Sequence, residues 1–232
     1  MPATSADMAK VQASLSPERL GPYLDACNRN ASQAIRLYEW NVQVSGAFFE
    51  SLGIVEVTVR NALSAQLTAH HGSLGGSWCD DPLSIFSAQA SADIAKARKR
   101  VRDLGRPETP GRVIAELNFS FWKFLLARRY EATLWTPHLR HAFPSLQPQS
   151  RQIAFAALDG LTQLRNRVAH HEPIYRRDLN ADMLTAFRVL NWIEPDVRVW
   201  AASVTRLPAV LAARPHMPPS SMTAPRTSSE SE

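Results

Sequence analysis

Cysteine is almost missing from this chain: Cys27 and Cys79 are the only two in 232 residues, and they have no CxxC spacing. Two such thiols can form neither the bridge framework of a small secreted domain nor a cysteine zinc site. Glycine is also scarce, at nine residues, and none of it builds a glycine-rich phosphate loop, so a nucleotide cradle of that kind is excluded. There is no internal repeat. No stretch reaches the roughly 18 uncharged apolar residues of a membrane span, and residues 1–10 lack an apolar run of the signal-peptide type. These absences predict a cytoplasmic protein with no membrane contact, no metal and no cofactor.

What the chain does have is helical periodicity and an excess of base. With 45% hydrophobic and 20% charged residues, it can bury one sizeable core. The expected organisation is a flexible stretch over residues 1–15, a single helical domain over 16–206 and a disordered tail over 207–232. From Arg214 onward the chain is Pro, Ser, Thr and Met with almost no apolar period. The formal net charge of +5 and the sequence pI near 9.6 favour encounter with a polyanion without any sequence preference.

Helix signals recur along the chain. Ser16-Pro17-Glu18 reads as a cap with Pro in the first turn, opening a helix to about Cys27. Ser32 can cap a second helix running toward the Gly53 region, and Ile54 to Ala69 continues with Val55, Val59, Leu63 and Leu67 four apart. The helix ends at His70-His71-Gly72, and a loop to Pro82 follows, anchored by Trp78. Ser87 to Leu104 is a basic helix closed by Gly105, and Thr109-Pro110 starts the next one. Phe119, Phe121, Trp122, Phe124, Leu125 and Leu126 read as core or interface in preference to a base-stacking surface. Trp135, Pro137 and Phe143-Pro144 form a compact connection. Helices follow over Gln152 to Ala169, over Asn180 to Trp192 and from Pro195 through Val204.

The cations with a possible role in binding fall in two places. Lys96, Arg98, Lys99, Arg100 and Arg102 lie on the basic helix, either as its solvated face or as a track for RNA phosphates. Arg60 and Asn61 repeat the Arg-Asn dipeptide found at Arg165-Asn166; read from the residues, Arg60 pairs with Glu56 and Asn61 makes a cap or core hydrogen bond.

Chemistry-bearing residues cluster once, in Arg165-Asn166-Arg167-Val168-Ala169-His170-His171-Glu172-Pro173. The stripe Ile153, Ala157, Leu161, Leu164 and Val168 puts this segment at the end of a core-packed helix. Pro173 stops the helix near His170 or His171. A guanidinium can grip a phosphate bidentately, and an imidazole can move a proton near neutral pH. The alternative is that Arg165 pairs with a carboxylate while the imidazoles complement the negative helix end. Arg165 and His170 lie five apart, about 140° round an ideal helix. One helix therefore converges them only if its frayed end turns His170 back; otherwise a second copy completes the site.

The segment Arg165 to Ile174 resembles the signature of Abi-like (abortive infection) proteins of the HEPN superfamily, in which Arg, with Asn favoured directly after it, and His are separated by four to six residues. Tyr38-Glu39-Trp40-Asn41 with Leu52 to Asn61, and Glu116 to Leu125 with Tyr130, Leu134-Trp135 and Ala142-Phe143-Pro144, resemble the family's earlier helices. The likeness spans about residues 35–193. Ser120-Phe121-Trp122 stands where the family has Gly after the Phe.

The resemblance implies an all-α HEPN-type bundle and a metal-independent endoribonuclease toxin of antiphage defence. Arg165 would stabilise charge at phosphorus, His170 would act as acid or base with His171 as adjunct, and Asn166 would orient His170 or the phosphate. It further implies a homodimer acting on RNA, with Arg60 and Asn61 lining the RNA cleft and an antitoxin or a phage-derived trigger as possible partner. The other reading it leaves open is a non-catalytic module that binds RNA or a protein in phage sensing.

Overall fold

The computed structural model describes residues 8–72, 77–81 and 84–216. Among the described residues every regular element is a helix and none is a strand, so the fold is all-α. The helices are α1 (Met8–Leu15), α2 (Pro17–Ala26), α3 (Ala31–His71), α4 (Ala88–Asp103), α5 (Pro110–Glu116), α6 (Phe119–Phe124), α7 (Arg151–Ala169), α8 (Leu179–Ile193), α9 (Pro195–Val204) and α10 (Leu207–Ala212). Single helical turns occupy Trp78–Asp80, Arg128–Tyr130, Glu131–Trp135 and Leu139–Ala142.

Where composition suggests one domain, the chain divides into two compact units. The described residues up to Val44 and from Ala209 form one unit, and Ser45–Pro208 form the other. The division falls inside α3, a 41-residue helix that is longer than one small core can cover. Helix α3 runs through Gly53. Val55, Val59, Leu63 and Leu67 continue the buried spacing of Phe48 and Leu52 without interruption, and that outweighs the roughly 1 kcal/mol by which an interior Gly disfavours a helix. The continuous helix also contains an 18-residue window of mean hydropathy 1.3, apolar and long enough to cross a membrane by composition alone.

Several helix starts lie where the local signals put them. Ser16 caps α2 by accepting from Arg19 N–H, Ser87 caps α4, and Pro110 and Pro195 open α5 and α9. The cap of α3 is Asn30, which accepts from Gln33 N–H at 3.0 Å, while Ser32 sits inside the helix and accepts from Arg36. Asn30 wins because its side chain lies one residue before the first helical residue, where an acceptor reaches the free N–H groups.

In the smaller unit, Tyr23 packs edge-on against Tyr38 with ring centroids 5.2 Å apart. Trp40 Nε1 donates to Val210 O at 2.7 Å, and the Arg214 guanidinium lies over the same indole. Residues 207–212, assigned to the tail by composition, therefore form α10 instead, and residues 8–15 of the expected flexible start form α1. The rest of both expected termini, 1–7 and 217–232, lies outside the described residues.

The larger unit is centred on aromatic side chains. Phe119, Phe121, Trp122, Leu125 and Leu126 are all buried, as the core reading of that stretch expects. Trp78 stacks on Phe121 and donates from Nε1 to Ser64 Oγ, so it does anchor the segment after α3. Trp135 and Phe143 are buried against each other. Helix α7 buries Ala154, Leu158, Leu161, Leu164 and Val168, whereas Ile153 is 39% exposed. The core stripe thus starts one residue later than the sequence suggests, because the larger Leu158 turns inward in place of Ala157.

Candidate functional site

The end of α7 is built by its own backbone. Ser150 caps the start of the helix by accepting from Ile153 N–H, and the buried stripe fixes its rotation. At the far end His170 is the last helix-like residue (φ −94°, ψ 11°), and its N–H donates to Asn166 O at 3.0 Å. His171 then takes the left-handed conformation, φ 55°. Its N–H donates to Val168 O and that of Glu172 donates to Arg167 O, at 3.1 and 2.8 Å. This pair of bonds is the Schellman closure, in which the left-handed position usually holds Gly. His170 does not fray or turn back; the chain reverses one residue later, and Pro173 then prevents the helix from continuing.

Arg165 is 37% exposed, and its Nε faces Glu56 Oε2 of α3 at 3.8 Å, with Glu56 24% exposed. The sequence pairs Glu56 with Arg60, its neighbour one turn along. In the folded chain the carboxylate turns to α7, and Arg60 donates from Nε to its neighbour Asn61 Oδ1 at 3.3 Å. At this separation and exposure the Arg165 pair contributes about 0–1 kcal/mol. Arg167 pairs with Glu172 at 3.6 Å. Asn166 and His170 are exposed, and the hydrogen bond that joins them is the backbone one.

The basic helix α4 is largely neutralised. Arg98 is held by Asp80 and by Glu108, Arg102 by Glu108, Lys99 by Asp103 and Lys96 by Asp93. Arg100 donates to Glu116 O at 3.0 Å. The Arg98 hydrogen bond holds the Asp80 carboxyl below its ordinary range. Two of these carboxylates, Asp93 and Asp103, stand at local helical spacing and were legible in the sequence. Asp80 and Glu108 come from outside the helix and were not.

A histidine cluster escaped the sequence reading. His70 at the end of α3 stacks on His138, ring centroids 3.7 Å apart, and meets His71 edge-on at 5.0 Å. His71 is buried; its Nδ1 lies 2.8 Å from Leu67 O, while its Nε2 has no hydrogen-bond partner among the described residues. Burial, then His71, lowers the His70 pKa; burial, then His70, His141 and His71, lowers that of His138. Only the adjacency of His70 and His71 was visible beforehand. Among the described residues no group of three His, Cys, Asp or Glu side chains is placed to hold a metal ion.

Compared with known families, curated proteins and solved structures, the chain matches none. The chemistry is therefore argued from the side chains. Among the described residues Arg165 has one carboxylate neighbour and no hydrogen bond, so its terminal nitrogens can take an incoming phosphate in a bidentate grip. His170, exposed at the negative end of a helix, is placed to exchange a proton with solvent or substrate.

Proposed function

We propose that the chain is a metal-independent endoribonuclease of the HEPN type, an Abi-like toxin that arrests infected cells by cutting RNA. One observation carries this reading: the end of α7 displays Arg165 and His170 on a rigid, core-packed helix with both side chains accessible. In the reaction His170 takes the proton from a ribose 2′-hydroxyl or returns one to the leaving 5′-oxygen, and Arg165 stabilises the charge that builds at phosphorus. The 2′-oxygen bonds to phosphorus as the bond to the 5′-oxygen breaks, leaving 2′,3′-cyclic phosphate and 5′-hydroxyl ends. His171, held in the cap, is the adjunct, and Asn166 contacts the phosphate.

Because His170 stays in register with α7, Arg165 and His170 of one helix remain on different faces. This supports a homodimer in which each active site takes Arg165 from one copy and His170 from the other. RNA lies along α3 and α7, with Arg60 and Asn61 beside the cleft. The paired cations Lys96, Arg98, Lys99 and Arg102, with Arg100, contribute a weaker outer field. On this reading the protein acts in the cytoplasm, away from a membrane: in the apolar run of α3, Phe48, Leu52, Val55 and Val59 are spent on the core.

The test is incubation of the purified chain with total bacterial RNA. Cyclic-phosphate ends should appear, and Arg165→Ala and His170→Ala should each lower the rate by about a thousandfold with unchanged thermal midpoints. A second reading, a non-catalytic module that binds RNA or a partner in phage sensing, is favoured by the Arg165–Glu56 pair. It predicts that Arg165→Ala lowers stability while no RNA ends appear.

A further inference from the structure

We propose that Glu56 is the positioning residue of the nuclease site, aligning the Arg165 guanidinium for its phosphate; the inference rests on the endoribonuclease reading above. An arginine side chain that is more than a third exposed samples many rotamers. Here its Nε faces the Glu56 carboxylate at 3.8 Å, and no hydrogen bond to a described residue ties the guanidinium down. An ion pair of that length is close enough to bias the guanidinium and too loose to seal it.

Engagement through Nε leaves the two terminal nitrogens as the edge presented to a ligand, and two parallel N–H donors are what grip a phosphate oxygen pair. Glu56 itself is well anchored. It lies between Val55 and Val59 on α3, both fully buried, so its backbone is fixed to the core.

The charge of Glu56 has a second effect. A carboxylate beside the phosphate path repels any phosphate that Arg165 has not captured, which weakens unproductive binding of RNA. Removing that charge without changing shape therefore has opposite effects on two quantities. Capture of RNA improves or stays level, while the fraction of captured phosphates in reactive alignment falls. A residue with a purely structural role would lower the amount of folded protein and leave this ratio alone.

The experiment measures initial rates of 5′-hydroxyl end formation against total bacterial RNA concentration for the native chain, Glu56→Gln and Glu56→Asp, with thermal midpoints taken in parallel. The expected result is a maximal rate lowered about tenfold or more in Glu56→Gln, with no rise in the half-saturating RNA concentration and an unchanged midpoint. Glu56→Asp should recover part of the loss. A Glu56→Gln chain that matches the native maximal rate overturns the positioning role while leaving the nuclease reading intact, as does a loss that only follows the folded fraction. If the native chain forms no ends, the nuclease reading falls first and this role falls with it.

Discussion

Helices α4 and α7 end alike and differ in what they do with their charge. Both close with the same two backbone bonds: Gly105 N–H to Arg102 O and Arg106 N–H to Val101 O in α4, and the matching pair from His171 and Glu172 in α7. In α4 the left-handed position is Gly105, φ 64°, where a side chain would meet open space. In α7 a histidine occupies it. A non-glycine residue held left-handed stores strain of the order of 1 kcal/mol, and such strain concentrates at functional positions. The cations differ in the same sense: Arg98, Lys99 and Arg102 of α4 hydrogen-bond to carboxylates, whereas Arg165 faces one carboxylate at 3.8 Å and has no hydrogen bond to a described residue. The denser basic run is thus the structural one, and the sparser is the candidate for chemistry.

The sharpest way to break this comparison is to mix the two inactive chains. If each active site takes Arg165 from one copy and His170 from the other, co-refolded Arg165→Ala and His170→Ala chains regain about a quarter of native cleavage, since half of the dimers carry one intact site of two. Sites confined to single chains would leave the mixture as inactive as its parts. Cleavage of total RNA before and after co-refolding reads the difference.

The caps themselves can be made alike. Gly105→His gives α4 the strained cap of α7, and because nothing lies near that position the backbone alone sets the cost, about 1 kcal/mol in a denaturant titration. A neutral result would remove strain at His171 as a pointer to function.

RNA binding separates the two surfaces further. Arg60→Ala should lower the slope of log affinity against log salt by about one, whereas Lys99→Ala, already neutralised by Asp103, should leave it nearly unchanged. Equal losses would restore α4 as the RNA track.

The smallest effect is in acid. The Lys123 ammonium of α6, bonded to Asp159 of α7 at 2.8 Å, holds that carboxyl below its ordinary 3.8. A lowered folded value means that the stabilisation is complete above pH 3.8 and is lost as pH falls through the folded value. Asp159→Asn should therefore cost under about 1 kcal/mol at pH 7, and the gap to the native chain should close below pH 4. A gap that persists in acid would assign the loss to packing.

Much of the helix pattern was legible because caps, prolines and apolar periods are local. Ser16, Ser87, Thr109 and Pro195 mark their helices directly, and the His170-His171-Pro173 stop is visible as spacing. What stayed hidden depends on distance. No local pattern shows that Glu56 prefers Arg165 to Arg60, that Asp80 and Glu108 hold Arg98, or that His138 reaches His70. Ser32 misled because it is a local cap signal inside a helix that Asn30 already caps. Ile153 misled for a related reason: periodicity gives a face to within one residue, and packing chooses between neighbours.

The most direct test of the central claim is to map new 5′-hydroxyl RNA ends across the transcriptome of bacteria expressing the native chain or His170→Ala. A ribonuclease at the end of α7 predicts ends that appear with the native chain and vanish with the variant, and their positions would name the substrate. Matching maps with growth still arrested would contradict catalysis at His170 and leave α7 as a binding surface.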